Sequence, residues 1–312
     1  MKRTRFAGFV LISVLLASGQ VFPQDEEPTD SQPPPSDETM QGGEEEQGFV
    51  LVGAGDIANC DISGGHLETA NVLDSIPGTV FTMGDHAYPS GSKKSFEECY
   101  GQSWGRHKER TRPSPGNHDM RTRNGLPYYN YFGENAGPKR LGYYSYNLGE
   151  WHIISLNSDI SVRRRSKQYK WLQQDLEENQ ATCMLAYWHV PTFSSGGHGN
   201  HREMLDAWRL LYDSGADVIV GGHDHSYERF APQDPNGKAD PERGIRQFVV
   251  GTGGAGVYRF NEPVENSEVR QWQSYGVIKF TLYPDRYDWE FVTAKGKPFE
   301  DKGSAGCSLP TG

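Results

Sequence analysis

Seven residues with the chemistry of metal ligands or proton carriers recur in short polar motifs. They are Asp56 in GAGD, Asp85 in MGDHAY, Asn117 and His118 in PGNHD, His189 in AYWHV, and His223 and His225 in GGHDH. Each motif follows a glycine or an aliphatic run, a placement that scattered solvated polar residues would not share. Carboxylate and imidazole together suit Zn, Fe and Mn, and the absence of thiolates from these motifs argues against a structural cysteine-type zinc site. The set is too large for one ion and sufficient for two with one carboxylate bridging, an arrangement adapted to displacement at phosphorus.

The motifs differ in force. GD after a strand is also an ordinary turn or helix N-cap, and a lone histidine at a strand end, as in WHVP, is more often a satisfied surface or core residue. GNHD is stronger, because asparagine is an unusual ligand and the glycine lets backbone approach; an Asx-type turn is its bland reading. GHDH is strong alone, since Asp224 points away while His223 and His225 converge. Order and strand context carry the inference.

These residues need a scaffold of strand ends. FVLVGAGD (49 to 56), GTVFTMGD (78 to 85), WHIISLNS (151 to 158), TCMLAYWHV (182 to 190) and ADVIVGGHDH (216 to 225) read as buried strands. Helical spacing is found over 65 to 76, 166 to 179 and 202 to 215, the last with a glycine stop. The alternation predicts an α/β sandwich with a mainly parallel central sheet. RQFVVGTGG, YGVIKFTLYP and RYDWEFVTA, with no helix between them, predict an antiparallel extension. In open α/β sheets ligands gather at the carboxyl ends of strands, where the motifs lie.

The N-terminus reads differently. Lys2, Arg3 and Arg5 precede an apolar run from Phe6 to Ala17, followed by Ser18 and Gly19, so residues 1 to 19 are expected to be a cleaved export signal leading to the periplasm or the outside medium. The run is short for a bilayer span and no cysteine follows it, so neither a membrane anchor nor a lipid-modified N-terminus is expected. Residues 20 to 48 are rich in Pro, Gly, Ser and acid and are expected to be a disordered tether; residues 49 to 312 are expected to form one catalytic domain. Of the formal net charge of −10, the signal's three bases and the tether's nine acids leave −4 for residues 48 to 312, which gives no sign of a nucleic-acid-binding surface. The basic runs RHKERTR and RRRSK read first as solvated faces, and otherwise as weak steering of anionic substrates. Cys60, Cys99, Cys183 and Cys307 form an even set on an exported chain. Three pairings are open. Cys60 with Cys99 and Cys183 with Cys307 is preferred, because the first joins loops near the motifs and the second pins the C-terminal tail to a strand; a buried free thiol at Cys183 is the plain alternative.

Taken together the motifs resemble those of the calcineurin-like metallophosphoesterases, and within them the purple acid phosphatases. The wider superfamily opens with Asp-x-His, whereas this chain has Asp56-Ile57-Ala58. Purple acid phosphatases also lack that histidine and use a tyrosinate from GDxxY, matched here by Gly84-Asp85-His86-Ala87-Tyr88. The resemblance implies a metallophosphoesterase-type α/β sandwich with central mixed sheets. It implies Fe(III) on Asp56, Asp85, Tyr88 and His225, a divalent ion (Fe, Zn or Mn) on Asp85, Asn117, His189 and His223, and His118 near the leaving-group oxygen. The implied activity is phosphomonoester hydrolysis by in-line attack of a metal-bound hydroxide on a small-molecule phosphate ester. A phosphodiesterase acting on nucleotide or lipid-headgroup diesters is the alternative, and a non-catalytic binding protein on the same fold the more distant one. Residue 58 is Ala where Gly is usual, and AYWH stands for Val-x-x-His; neither change removes a ligand. The amino-terminal fibronectin-like domain of large plant members is not expected. His198 and His201, in SSGGHGNHRE, lie where the resemblance puts a phosphate-contacting histidine, and a solvated Gly-rich loop is the equal alternative. His86 is read as a spectator, Asp119 and Asp224 as orienters of neighbouring imidazoles, and Tyr227, Glu228 and Arg229 as braces of the GHDH loop.

Overall fold

The computed structural model describes residues 47–62 and 64–308. The expected export signal and nearly all of the tether lie outside the described residues. In chain order the strands are β1 (Phe49–Gly53), β2 (Thr79–Met83), β3 (Thr111–Ser114), β4 (Tyr144–Leu148), β5 (Trp151–Ser155), β6 (Cys183–Tyr187), β7 (Val218–Gly221), β8 (Tyr227–Phe230), β9 (Arg246–Val250), β10 (Ser267–Gln271), β11 (Ser274–Leu282), β12 (Arg286–Gly296) and β13 (Lys302–Gly306). The helices are α1 (Gly65–Ser75), α2 (Lys93–Glu98), α3 (Asn117–Met120), α4 (Leu126–Phe132), α5 (Lys167–Glu178) and α6 (Leu205–Asp213).

Two sheets form, in the orders β13-β12-β11-β1-β2-β3 and β10-β8-β9-β7-β6-β5-β4. Only five of the eleven pairings are parallel, those of β1-β2, β2-β3, β5-β6, β6-β7 and β7-β9. The expectation of a mainly parallel sheet is therefore corrected to two mixed sheets: the motif-bearing strands are parallel, the last third supplies the antiparallel strands β10 to β13, and β9, expected to be antiparallel, pairs parallel with β7 and antiparallel with β8. Consecutive strands joined by a short turn, such as β11 and β12, pair antiparallel.

Burial follows from the strand period of two. In β5 to β7, Ile153, Leu185, Val218 and Val220 face the space between the sheets, while Ile154, Ala186 and Ile219 face α5 and α6 through Leu172, Trp208 and Leu211. Both faces are covered, which is why these strands read as continuous apolar runs. Between the sheets Phe81 meets Tyr187 edge-on at 5.4 Å, and Phe248 meets Phe280 at 5.3 Å; each such buried ring contributes on the order of 2–3 kcal/mol. The Ser166 hydroxyl accepts from the Tyr169 N–H at 3.1 Å and starts α5. Gly215, at φ +79°, follows the last turn of α6 and takes the left-handed conformation that ends it. α1 stops before Pro77, which disfavours helix in the residue preceding it.

Two disulfides close, Cys60–Cys99 and Cys183–Cys307, in the preferred pairing. The first joins the loop after β1 to the end of α2; the second holds the segment after β13 to the start of β6. Among the described residues no helix is long and apolar enough to cross a membrane.

Candidate metal centre

Five parallel strands end at one place. Asp56 follows β1, Asp85 follows β2, Asn117 follows β3, His189 follows β6, and His223 and His225 follow β7. At three of these exits the chain turns through the left-handed region, at Asp56 (φ +59°), Asp85 (φ +52°) and His223 (φ +68°). Aspartate and histidine tolerate that region better than most residues. The turns are crowded: a Cβ on Gly116 would stand 2.3 Å from Asp85 Oδ1, and one on Gly84, itself at φ +76°, 2.7 Å from the His189 ring.

Each carboxylate divides its work between its oxygens. Asp85 Oδ1 accepts the His118 N–H at 2.7 Å and Asp56 Oδ2 accepts the His223 N–H at 2.7 Å, so each fixes the loop of another motif. The remaining oxygens turn inward. Tyr88 Oη lies 2.9 Å from Asp56 Oδ1, 3.0 Å from Asp85 Oδ2 and 3.0 Å from His225 Nε2. On the other side of Asp85 Oδ2, His189 Nε2 lies 3.3 Å away and is also 3.1 Å from Asn117 Oδ1 and 3.2 Å from His223 Nδ1. His189 Nδ1–H donates to Met83 O at 2.7 Å, which aims Nε2 inward. All seven expected ligand residues therefore meet, in two groups sharing one oxygen of Asp85.

This donor set fits cations. A phenol has one proton, yet Tyr88 Oη lies within hydrogen-bond distance of two carboxylate oxygens, Asp56 Oδ1 and Asp85 Oδ2, with the His225 ring nitrogen beside them. Donor atoms of Asp56, Asp85 and His189 all lie within 4.8 Å of one another, on side chains that are essentially fully buried. Burial pushes both carboxyls up, but His225 and His189 facing Asp56, and His189 and His118 facing Asp85, more than offset it and hold both below the usual range. Burial works against a charged His189, but Asp85 and Asp56 raise it to about 10; His225 is likewise raised by Asp56. His223 is driven down to about 3 by burial and by His189. Tyr88 is pushed well above 10 by burial and by both aspartates, so it becomes a phenolate only when a cation adjoins it.

His118 stands at the mouth. Its Nδ1–H donates to Pro89 O at 2.6 Å, its Nε2 lies 3.9 Å from Asp85 Oδ2, and its ring packs 4.4 Å from that of Tyr88. The His198 ring lies 4.2 Å from that of His223; its backbone N–H and its Nδ1 are 2.9 and 3.0 Å from Asp224 Oδ1. The His201 ring lies farther, 5.5 Å from His223, and its buried Nε2 has no hydrogen-bond partner among the described residues.

Around this cluster Asp224 orients His198 rather than its sequence neighbours His223 and His225, and accepts also from Ser194 Oγ at 2.5 Å, so shaping the SSGGH loop. Arg229 pairs with Asp301 at 2.8 Å, and Glu228, raised by burial, accepts from Ser195. His86 is no spectator. Fully buried, it gives its backbone N–H (3.0 Å) and Nδ1–H (2.8 Å) to Asp119 and takes the Thr82 hydroxyl on Nε2 (2.7 Å), while Gly116 N–H gives a third bond to Asp119 (3.0 Å). This dyad ties the GDHAY turn to the GNHD turn. Tyr258 escaped notice in the sequence: its hydroxyl is 3.0 Å from both His198 Nδ1 and His223 O, and its ring stacks on His225 at 4.9 Å. Its only signal is an aromatic residue in the Gly-rich GTGGAGVYRF.

Comparison with known proteins agrees with this geometry. The sequence profile of the calcineurin-like phosphoesterase family matches residues 42–227. Purple acid phosphatase 18 of Arabidopsis thaliana is 34% identical over 135 residues, 41% of this chain and 29% of that protein. The chain thus aligns with less than a third of that relative's length. The purple acid phosphatase PPD1 from yellow lupin (Lupinus luteus) seeds superimposes with a TM-score of 0.71 at 19% identity, over 83% of this chain and 54% of that one. A dimetal phosphatase from Danio rerio gives 0.58 at 13% identity, over 85% of this chain and 100% of that one.

Proposed function

The chain belongs to the calcineurin-like phosphoesterase family, and on that premise we propose that it is an exported, dinuclear metal-dependent hydrolase of phosphomonoesters, similar to purple acid phosphatases. The observation that carries the reading is the single oxygen of Asp85 shared by two donor groups. Asp56, Asp85, Tyr88 and His225 would hold Fe(III), and Asp85, Asn117, His189 and His223 a divalent Fe, Zn or Mn. When bound, the two cations supply a water-derived nucleophile near neutral pH and charge to neutralise phosphoryl oxygens.

The chain's own residues do the rest. Asp85 and Asp56 hold the His118 and His223 turns through their outward oxygens, so the ligand cage and its mouth are built by the same side chains. With Nδ1 tied to Pro89 O, His118 directs Nε2 toward the mouth, where a proton carried on it can pass to the leaving oxygen. His198 is held at Nδ1 by Asp224 and Tyr258, and in its imidazolium form its Nε2–H can donate to a phosphoryl oxygen; the His201 ring lies 5.5 Å from that of His223. Export is supported by the closure of all four cysteines into disulfides, which suits an oxidising compartment.

Elemental analysis with an absorption spectrum, followed by parallel assays on a monoester and a diester of one leaving group, tests the reading. Two tightly held ions per chain and a preference for the monoester are expected, and Asp85→Ala should release both ions and lower kcat at least about a thousandfold. Diester preference would transfer the assignment to a phosphodiesterase. Retained metals without turnover would leave a binding protein, and a metal-replete, active Asp85→Ala would overturn the dinuclear site.

A further inference from the structure

Beside the mouth lies a cation that the chemistry above does not use. Arg121 follows His118 by three residues, continues the helical backbone at the end of α3 (φ −60°, ψ −38°), and so emerges on the same side of that turn. Its Nη1–H donates to Pro89 O at 3.2 Å, the same carbonyl that accepts His118 Nδ1–H at 2.6 Å. The two side chains thus converge on one atom, a single residue beyond Tyr88. Arg121 is exposed, and among the described residues no carboxylate pairs with it: the nearest acid in sequence, Asp119, is buried and committed to His86 and Gly116. A guanidinium has five N–H donors in a rigid fork. One is spent on Pro89 O, which anchors the group, and the others remain for an anion.

We propose that Arg121 forms a subsite for a second anionic group on the leaving-group half of the substrate, so that phosphomonoesters whose alcohol portion bears a phosphate or a carboxylate are preferred over neutral ones. The proposal rests on the phosphomonoesterase reading, because only there does His118 mark the leaving-group side. The fork geometry suits a planar carboxylate or a phosphate face alike, and its anchoring on the same carbonyl as His118 sets it beside the leaving-group side.

The test is a ratio of ratios. kcat/KM is measured for 4-carboxyphenyl phosphate and 1,4-phenylene bisphosphate, each against the uncharged 4-carbamoylphenyl phosphate, in wild type, Arg121→Ala, Arg121→Glu and Arg121→Lys. Arg121→Ala should lower the charged-to-neutral ratios about tenfold, Arg121→Glu further, and Arg121→Lys should restore part of the loss, less for the carboxylate than for the phosphate. The wild-type preference should shrink as ionic strength rises. Calorimetric affinity for 4-carboxybenzylphosphonate, which cannot be hydrolysed, should weaken in parallel in Arg121→Ala. Ratios unmoved by both Arg121→Ala and Arg121→Glu, or a preference for one anion alone that Arg121→Glu leaves intact, would overturn the subsite. Failure of wild type to hydrolyse any of the three esters would overturn the phosphomonoesterase reading instead, and the phosphonate affinities would still decide whether Arg121 binds the second anion.

Discussion

Replacing Asp119 with alanine should damage fold and metal site together, by an amount that follows from its bonds. The carboxylate accepts three N–H groups, from the His86 backbone, the His86 ring and the Gly116 backbone, at 2.8 to 3.0 Å, and every partner is buried. Each buried donor left without an acceptor costs about 1–3 kcal/mol. Water entering the small cavity would recover part of that, so the loss should be on the order of 3–6 kcal/mol, a large fraction of the roughly 5–15 kcal/mol a domain possesses. Asp119→Asn keeps one acceptor and turns an NH2 toward the other donors, so about half the loss is expected. Because His86 adjoins Asp85 and Gly116 adjoins Asn117, metal affinity should also fall, about 10- to 100-fold. Urea denaturation of the disulfide-intact, metal-free protein measures the first effect, and chelator competition on the loaded protein the second. If Asp119→Ala unfolds within about 1 kcal/mol of wild type and holds metal equally well, the claim that this dyad fixes the two ligand turns is wrong.

Two further outcomes are expected. Tyr88→Phe should abolish the visible band of an iron-loaded sample while lowering turnover less than Asp85→Ala does; an unchanged spectrum would exclude Tyr88 as a ligand. Asp217, buried beside the Cys183–Cys307 disulfide and accepting the Met184 N–H at 2.9 Å, is raised by burial to about 7. Its native form holds a proton that the unfolded chain releases near the ordinary value of 3.8. Its contribution is therefore complete below about pH 4 and lost as pH rises to about 7, a decline of up to about 4 kcal/mol. Denaturation midpoints of the metal-free protein between pH 4 and 8 should show that decline in wild type and a flatter course in Asp217→Asn; parallel courses would remove Asp217 as its source.

The legible part of the molecule was the part where period and chemistry coincide. β1, β2, β5, β6 and β7 announce themselves because both faces are covered, and the exits of β1, β2, β6 and β7 carry acids and imidazoles of the site, whereas β5 exits at Asn157, which is bound to Gln168 instead. β3 was hidden by Pro113, which a strand tolerates at a sheet edge, where β3 lies. β13, KGSAG, has almost no strand propensity; its Gly303 is needed because a Cβ there would stand 2.3 Å from the Trp289 ring. Tyr258 and the partners of His86 depend on contacts across long stretches of chain, between loops whose paths no local pattern records. Asp217 likewise reads as an ordinary pre-strand acid until its surroundings are known.

The three strand exits at Asp56, Asp85 and His223 carry one more implication, for how such a centre can be remodelled. The backbone there admits few residue types at low cost, chiefly glycine, asparagine, aspartate and histidine. Glutamate or cysteine could supply a donor atom but would resist the turn. Retuning for a different ion should therefore proceed through Asn117, His189 and His225, whose main chain lies outside that region, while the three exits stay as an invariant frame.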